Sequence, residues 1–250
     1  MRQQEPELPA RAAPFTLLAS VYDAVMADVE YDDWAAFVLR LATERGYGMG
    51  PALDLGCGTG NSTAPMVARG VPVEGLDASR DMLAVAARKL PGTTFHLGDF
   101  ETFSLPRRYE LAYSVFDSLN NLLSDAAFVA ACRNVARHMV PGGVFVFDAN
   151  TEVALRDLWA DGKVEGWADD VYYSWRHAYD PETGLAFVEA YCSTPAGSFV
   201  ERHAERGYSP GELRRLVELA GFVDVAVVEY PEAAPAKEDA DRVWVVARWP

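Results

Sequence analysis

The stretch that most constrains this chain is A-L-D-L-G-C-G-T-G-N, residues 52–61. Ala52, Leu53 and Leu55 are apolar and lead into Gly56, Gly58 and Gly60. The order reads as a short buried strand, a tight turn and the start of a helix over residues 59–69 that stops at Gly70. Glycines in a strand-to-helix turn let a ligand approach the backbone, because no Cβ stands in the way. The spacing is G-x-G-x-G, whereas the dinucleotide fingerprint G-x-G-x-x-G has its third glycine one place later.

The rest of the chain repeats the strand-helix alternation. Strands are expected at residues 71–76, 94–97, 109–116 and 144–147. Helices are expected at 80–90, capped by Ser79, and at 125–139, capped by Ser124. Near-continuous apolar strands between amphipathic helices mean parallel βαβ units with helices on both faces. Ahead of the glycine stretch, residues 15–27 and 31–45 read as two helices with apolar stripes. The pattern changes after residue 150. A short helix at 153–159 is followed by extended segments at 167–179, 185–192 and 199–208, separated by turn residues. A helix opened by S-P-G-E at 209–212 and strands at 222–229 and 242–248 resume the first pattern. The expectation is therefore an α/β protein with a doubly wound, mostly parallel seven-stranded sheet and an inserted antiparallel β-meander cap. Residues 1–14 read as a flexible tail, residues 15–150 with 209–250 as the main domain, and residues 151–208 as the cap. Residues 231–241, rich in Ala, Pro and charge, read as a flexible surface loop.

Composition narrows the partners. The 250 residues carry a net charge of −15, the wrong sign for a phosphate backbone. No apolar run is long enough to span a membrane, and residues 1–14 lack the apolar core of a signal peptide. Three cysteines, Cys57, Cys132 and Cys192, are an odd number without metal-ligand spacing, so no metal site and a reducing cytoplasm are expected.

With Asp54 two residues before Gly56, the glycine stretch resembles motif I of the Rossmann-like, class I S-adenosylmethionine methyltransferases. The resemblance is closest to a small-molecule branch that includes bacterial amino-sugar and antibiotic N-methyltransferases. It rests also on Y-D at 22–23 with Y-D-D-W at 31–34, on F-D-S-L-N at 116–120, and on a β-rich insert after the fifth strand. It covers residues 15–248 and implies S-adenosyl-L-methionine as cofactor, S-adenosyl-L-homocysteine as product and a small-molecule acceptor, expected to be an amine. No N/D-P-P-Y motif or Pro-Cys pair is present, so methylation of nucleic-acid bases is not expected.

Brändén's rule puts the ligand at the carboxyl ends of the parallel strands. Asp77 ends the second strand, where a carboxylate can accept ribose hydroxyls. Asp99, with Gly98 and Phe100, ends the third; the resemblance implies that it reaches the adenine, with Met82 on the other side of the ring. The expected cofactor set is completed by Tyr22, Trp34, Asp54, Gly56, Cys57, Gly58, Thr59, Gly60, Asn61, Ala78, Ser114 and Phe116, with Asp54 organising the glycine loop and facing the methionine end. For the acceptor the expected residues are Trp34, Phe116, Asp117, Asn120, Asn121 and Asn150, with Trp175, His177 and Tyr191 from the cap. Tyr22, Asp117 and Asn120 are the expected catalytic residues, with Asp117 orienting the acceptor or taking its proton. Alternation places Tyr173, Trp175, His177 and Tyr179 on one face of their strand. His203 reads as a cross-strand polar residue. A monomer or homodimer fits equally. Two other readings stay open: a nicotinamide oxidoreductase, disfavoured by the glycine spacing, and a non-catalytic S-adenosylmethionine-binding module.

Overall fold

The computed structural model describes residues 10–160 and 162–250. Its larger sheet has the order β12-β11-β13-β6-β5-β2-β3-β4. These strands are β2 (Ala52–Leu55), β3 (Val73–Asp77), β4 (Thr94–Leu97), β5 (Tyr109–Ser114), β6 (Met139–Asn150), β11 (Val223–Glu229), β12 (Ala234–Pro235) and β13 (Arg242–Arg248). The run β6-β5-β2-β3-β4 is parallel, and β13 joins β6 antiparallel. The seven expected strands are all present. The short edge pair β12 adds an eighth, from a segment expected to be a loop.

One face packs α5 (Asp125–Arg137) and α7 (Pro210–Leu219), burying Leu53, Leu55, Phe128, Phe145 and Leu213. The other packs α2 (Tyr31–Thr43) and α3 (Thr63–Ala68), burying Phe37, Val38, Leu41, Met66 and Trp244. Period-two alternation in β2 sends Leu53 and Leu55 to the first face and Ala52 and Asp54 to the second. Between β3 and β4 the chain runs through α4 (Arg80–Lys89), whose cap Ser79 Oγ accepts from Met82 N at 3.2 Å. Among the described residues no helix is long and apolar enough to cross a membrane.

The insert forms a second, five-stranded sheet of order β1-β10-β9-β8-β7, preceded by α6 (Glu152–Leu158). Its strands are β1 (Ala10–Ala12), β7 (Lys163–Ala168), β8 (Val171–Asp180), β9 (Leu185–Thr194) and β10 (Gly197–Arg206). Three segments differ from expectation. The extended segment at 167–179 is cut into β7 and β8 by a turn in which Asp169 has φ 52°. The P-G-G at 141–143 does not end α5; it lies in the first part of β6, at an irregular register against β5. Residues 10–12, expected in a flexible tail, pair parallel with β10; residues 1–9 lie outside the described residues.

The expected helix at 15–27 is instead a 3-10 turn, Leu17–Ser20, then α1 (Tyr22–Val25), with Val21 between them outside the helical region. Its start is held by the cap. Glu201 on β10 is fully buried, and its carboxylate accepts from Phe15 N at 2.7 Å, Thr16 N at 3.2 Å and Leu18 N at 2.9 Å. Phe15 takes φ 57° to present these amides. Its carbonyl accepts the Ser79 hydroxyl. The N-terminal segment thus bridges both sheets. Glu201→Ala is expected to leave these donors unpaired at roughly 1–3 kcal/mol each. Hydrogen exchange at the Phe15, Thr16 and Leu18 amides should accelerate well before the amides of β5 do, and unchanged protection would show that the carboxylate does not hold the segment.

Candidate active site

The carboxyl ends of the parallel strands open into a cavity of about 900 Å³, roofed by the inner face of the second sheet and by Ala13–Leu18 contacts. One half is built by the glycine turn and the ends of β3 and β4. Gly56 and Cys57 both donate to the Leu76 carbonyl, so the loop is tied to β3. Gly56 (φ 71°) and Gly58 (φ 52°) hold backbone conformations that side-chain-bearing residues rarely adopt. A Cβ on Gly56 would also lie 2.8 Å from that of Ser118. Asp77 accepts from Gly58 N at 2.9 Å and Ser79 N at 2.7 Å. Burial raises its pKa, and these amide bonds oppose the rise. A carboxylate has about four acceptor positions, so Asp77 can brace the loop and still accept from a ligand. Ala78, Met82, Gly98, Asp99 and Phe100 complete this half.

The other half is the cap. Register pairs Trp175 with Ala190 and Ala190 with Glu201, and pairs His177 with Val188 and Val188 with His203. Trp175, His177, Val188, Ala190, His203 and Glu205 therefore share the inward face, and all except Glu201 of these rows line the cavity. Facing them across the cavity are Asp117, Asn121, Asn150, Asp241 and Arg242 from the main sheet. Tyr22 and Phe116 stand between the two halves. Both also line a smaller crevice with Cys57, Thr59 and Asn61 against the glycine turn.

The tip after β5 is held by charge. Phe116 (φ 62°) and Asp117 (φ 49°) are consecutive left-handed residues. Asp117 Oδ1 accepts from Arg242 at 3.0 Å and Oδ2 from Asn150 at 2.9 Å. Arg242 also pairs with the buried Asp148. The guanidinium lies 5.4 Å from the Trp34 ring centroid and 5.8 Å from that of Phe116.

This architecture matches known proteins. Residues 52–143 match the family described as a methyltransferase domain. A relative in Bacillus subtilis, a putative methyltransferase named YqeM, is 27% identical over 82% of this chain and 84% of its own length. A Streptomyces fradiae protein named dTDP-3-amino-3,6-dideoxy-alpha-D-glucopyranose N,N-dimethyltransferase is 35% identical, over 52% of each chain. The alignment thus spans about half of that relative. The solved sugar N-methyltransferase KedS8 from Streptoalloteichus superposes with a TM-score of 0.80 at 21% identity, covering 99% of this chain and 98% of that one. Residues 52–143 thus carry a methyltransferase domain, and the chain as a whole has the fold of an S-adenosylmethionine-dependent methyltransferase from Clostridium acetobutylicum, TM-score 0.80 at 23% identity over 92% of this chain and 97% of that one.

The residues present here fit S-adenosylmethionine. The open backbone at Gly58, the Asp77 carboxylate and the apolar pair Met82 and Phe100 line the cavity at the end of β3 and β4 and would hold its nucleoside. S-adenosylmethionine would supply the methyl group there as part of a sulfonium, already activated for displacement.

Of the expected site residues, several lie elsewhere. Asp54 does not face the cavity. Its side chain points to the α2–α3 layer, where Oδ2 accepts from Ser62 at 2.6 Å and Thr63 at 2.7 Å. It organises the turn from behind. Those bonds and Pro65, which has no N–H and sits in the first helical turn, place the start of α3 at Thr63 instead of residue 59. Asn120 is fully buried and spent: its amide donates to the Asn150 and Arg206 carbonyls, and its oxygen accepts from Asn150 N. It fastens the cap to the sheet and has no group left for an acceptor. Ser114 is buried and donates to the Leu55 carbonyl at 2.8 Å. Trp34 packs beneath Phe116 and against Trp244 without lining either cavity. Gly60 packs toward Ala86 and Leu90. Tyr191 lies on the outer face of the cap, beside Tyr172. Asp23, following Tyr22, locks the lid by accepting from Thr59 at 2.6 Å and pairing with Lys89 at 2.7 Å.

Sequence reasoning passed over Glu205, His203 and Arg242. The signal for the first two was present: Glu201, His203 and Glu205 alternate along one strand, and the buried face of a cap carries whichever set is inward. Burial, with the charge of Asp117 beside it, pushes the Glu205 carboxyl well above the usual range. Burial lowers His177 and His203, which are therefore neutral at neutral pH. Burial also raises the Cys57 thiol, so it stays protonated and is no nucleophile.

Asp54 gives a pH test. Burial lifts its pKa from 3.8 to about 6, against the hydroxyl bonds that lower it. A carboxyl whose native value lies above the unfolded one stabilises the fold below the unfolded value and loses that contribution as pH rises through the native one. Asp54→Asn should therefore gain on the wild type by up to roughly 3 kcal/mol between about pH 4 and pH 7, at 1.36 kcal/mol per pKa unit. Urea unfolding of both proteins across that range checks it; a parallel pH dependence would contradict the raised value.

Proposed function

We propose that this protein is an S-adenosylmethionine-dependent methyltransferase that transfers the methyl group to an amine nitrogen of a small polar molecule. The relative from Streptomyces fradiae is named for an N,N-dimethylation of an amino sugar, and amine acceptors suit a site with carboxyls and neutral imidazoles. The observation that carries the reading is one cavity lined by Asp77, Met82 and Phe100 at one end and by polar residues of the cap at the other, with Tyr22 and Phe116 between them. A nicotinamide reading has no comparable support. Net charge of −15 argues against a nucleic-acid partner, and three unpaired buried cysteines suit a reducing cytoplasm.

The chain's contribution is mainly alignment and exclusion of water. Asp77, Met82 and Phe100 would fix the nucleoside. Tyr22 and Phe116 would form the walls at the reacting centre. The Tyr22 hydroxyl, whose pKa is raised by burial and then by Tyr31, stays protonated there. Ala13 to Leu18, pinned by Glu201, shut out solvent. Alignment of two reactants can account for roughly 7–11 kcal/mol of a barrier, against roughly 10²–10⁴-fold for a general base. Asp117 is a positioning residue in this scheme, with its carboxylate held by Arg242 on Oδ1 and by Asn150 on Oδ2.

Two variants test the scheme. Asp77→Ala should weaken S-adenosylhomocysteine binding by roughly 10- to 150-fold in calorimetry, the loss of a charge-assisted bond worth roughly 1.5–3 kcal/mol; an unchanged dissociation constant would remove Asp77 from the cofactor site. Asp117→Asn should lower turnover of an amino-sugar acceptor by less than about a thousandfold and leave cofactor binding intact. Complete loss of turnover with both affinities normal would make Asp117 an essential base.

A further inference from the structure

The acceptor half of the cavity is short of free positive charge. Asp117, Glu205 and Asp241 present carboxyls to it, and Arg242 is the cation there. Arg242 is already divided between Asp117 and Asp148. The other arginine at the cavity, Arg80, lies on the first turn of α4 beside Asp77, in the nucleoside half. A diphosphate brings two or more negative charges and needs cations or free amides to meet them.

Glu205 points to the opposite kind of ligand. It is 9% exposed, its Oε2 is buried without a hydrogen-bond partner, and it lines the cavity. His203, 7% exposed two residues earlier on the same face, also leaves Nε2 without a partner. Buried polar atoms are nearly always paired, and an unpaired one facing a cavity marks a place for a ligand group. An ammonium donates up to three hydrogen bonds and carries the charge that the carboxyls lack. The His203 nitrogen adds a polar partner for a neighbouring hydroxyl or amine.

Resting on the amine reading above, we propose that the acceptor is a cationic amine without a phosphate group, and that Glu205 is the carboxyl that receives its ammonium; the nitrogen that attacks first passes its proton to this carboxylate, which frees the lone pair for the methyl carbon. The substrate class is then a free amino sugar or aminocyclitol rather than a nucleoside diphosphate sugar. The apolar wall of Trp175, Val188 and Ala190 would lie against the ring carbons of such a molecule.

Charge probes on the S-adenosylhomocysteine-loaded protein test this by calorimetry. At neutral pH, 2-deoxystreptamine, a diamine, should bind, and thymidine diphosphate should bind at least roughly tenfold more weakly. Glu205→Gln should weaken 2-deoxystreptamine by roughly tenfold or more, and Glu205→Asp should keep most of the affinity because it keeps a carboxyl that can ionise against the ammonium. Thermal unfolding of both variants confirms that they fold. Tighter binding of thymidine diphosphate than of 2-deoxystreptamine, no binding of 2-deoxystreptamine, or wild-type affinity in Glu205→Gln would overturn the proposal. So would a Glu205→Gln protein that binds S-adenosylmethionine more weakly but S-adenosylhomocysteine normally, since the carboxyl would then serve the sulfonium. Methyl transfer to hydroxyl acceptors and to no amine, read as S-adenosylhomocysteine formation, would instead sink the amine reading on which the proposal rests.

Discussion

Arg242 divided between Asp148 and Asp117 is the interaction on which the rest of the site depends. Asp148 is 1% exposed at the end of β6, and an isolated buried carboxylate is costly unless paired. Its partner arises from topology: β13 runs antiparallel to β6, so its first residue, Arg242, lies opposite Asn150 at the carboxyl end. The same guanidinium reaches Asp117, whose backbone amide faces both Asp148 oxygens at 3.3 Å. Two consecutive left-handed residues are strained and persist where their surroundings over-determine them. Here the surroundings are one arginine, two aspartates and Asn150. The result is a braced tip that presents Phe116 to the cavity.

The second requirement is closure. The carboxyl edge of an open sheet faces water, and methyl transfer gains from a dry, preorganised site. The chain meets this with two elements locked to one another. The inserted sheet roofs the acceptor half, and Glu201 captures the N-terminal segment in its turn. Phe15 then touches both sheets, through its amide on Glu201 and its carbonyl at Ser79. The Phe15 ring also packs edge-on to His203 at 4.4 Å. Lid, cap and cofactor turn therefore share a few buried polar contacts, so a change in one should be felt by the others.

Much of the fold was legible because local signals agreed with one another. The glycine turn, the capped helices at Ser79, Ser124 and Ser209, and the apolar strands all appear in place. What was not legible depends on contacts between distant segments. Residues 10–12 gain a strand from β10, and the helix expected at 15–27 breaks where Glu201 takes its amides. That Asp77, Met82, Asp99 and Phe100 line one cavity was legible in the same way, since their positions follow from strand ends. The acceptor half was half legible: the face bearing Trp175 and His177 followed from alternation, but which face of β10 turns inward did not. Asn120 and Trp34 illustrate the limit, since a polar or aromatic residue beside a site can equally be a brace.

The central claim is that one cavity under the cap holds the methyl donor at Asp77 and directs its reacting end toward the cap. A crystal structure with S-adenosylhomocysteine tests it most directly. The account predicts both ribose hydroxyls within hydrogen-bond distance of Asp77, and the thioether sulfur between Tyr22 and Phe116 facing Trp175 and Glu205. A ligand whose sulfur turns away from the cap, or whose ribose does not meet Asp77, would contradict it.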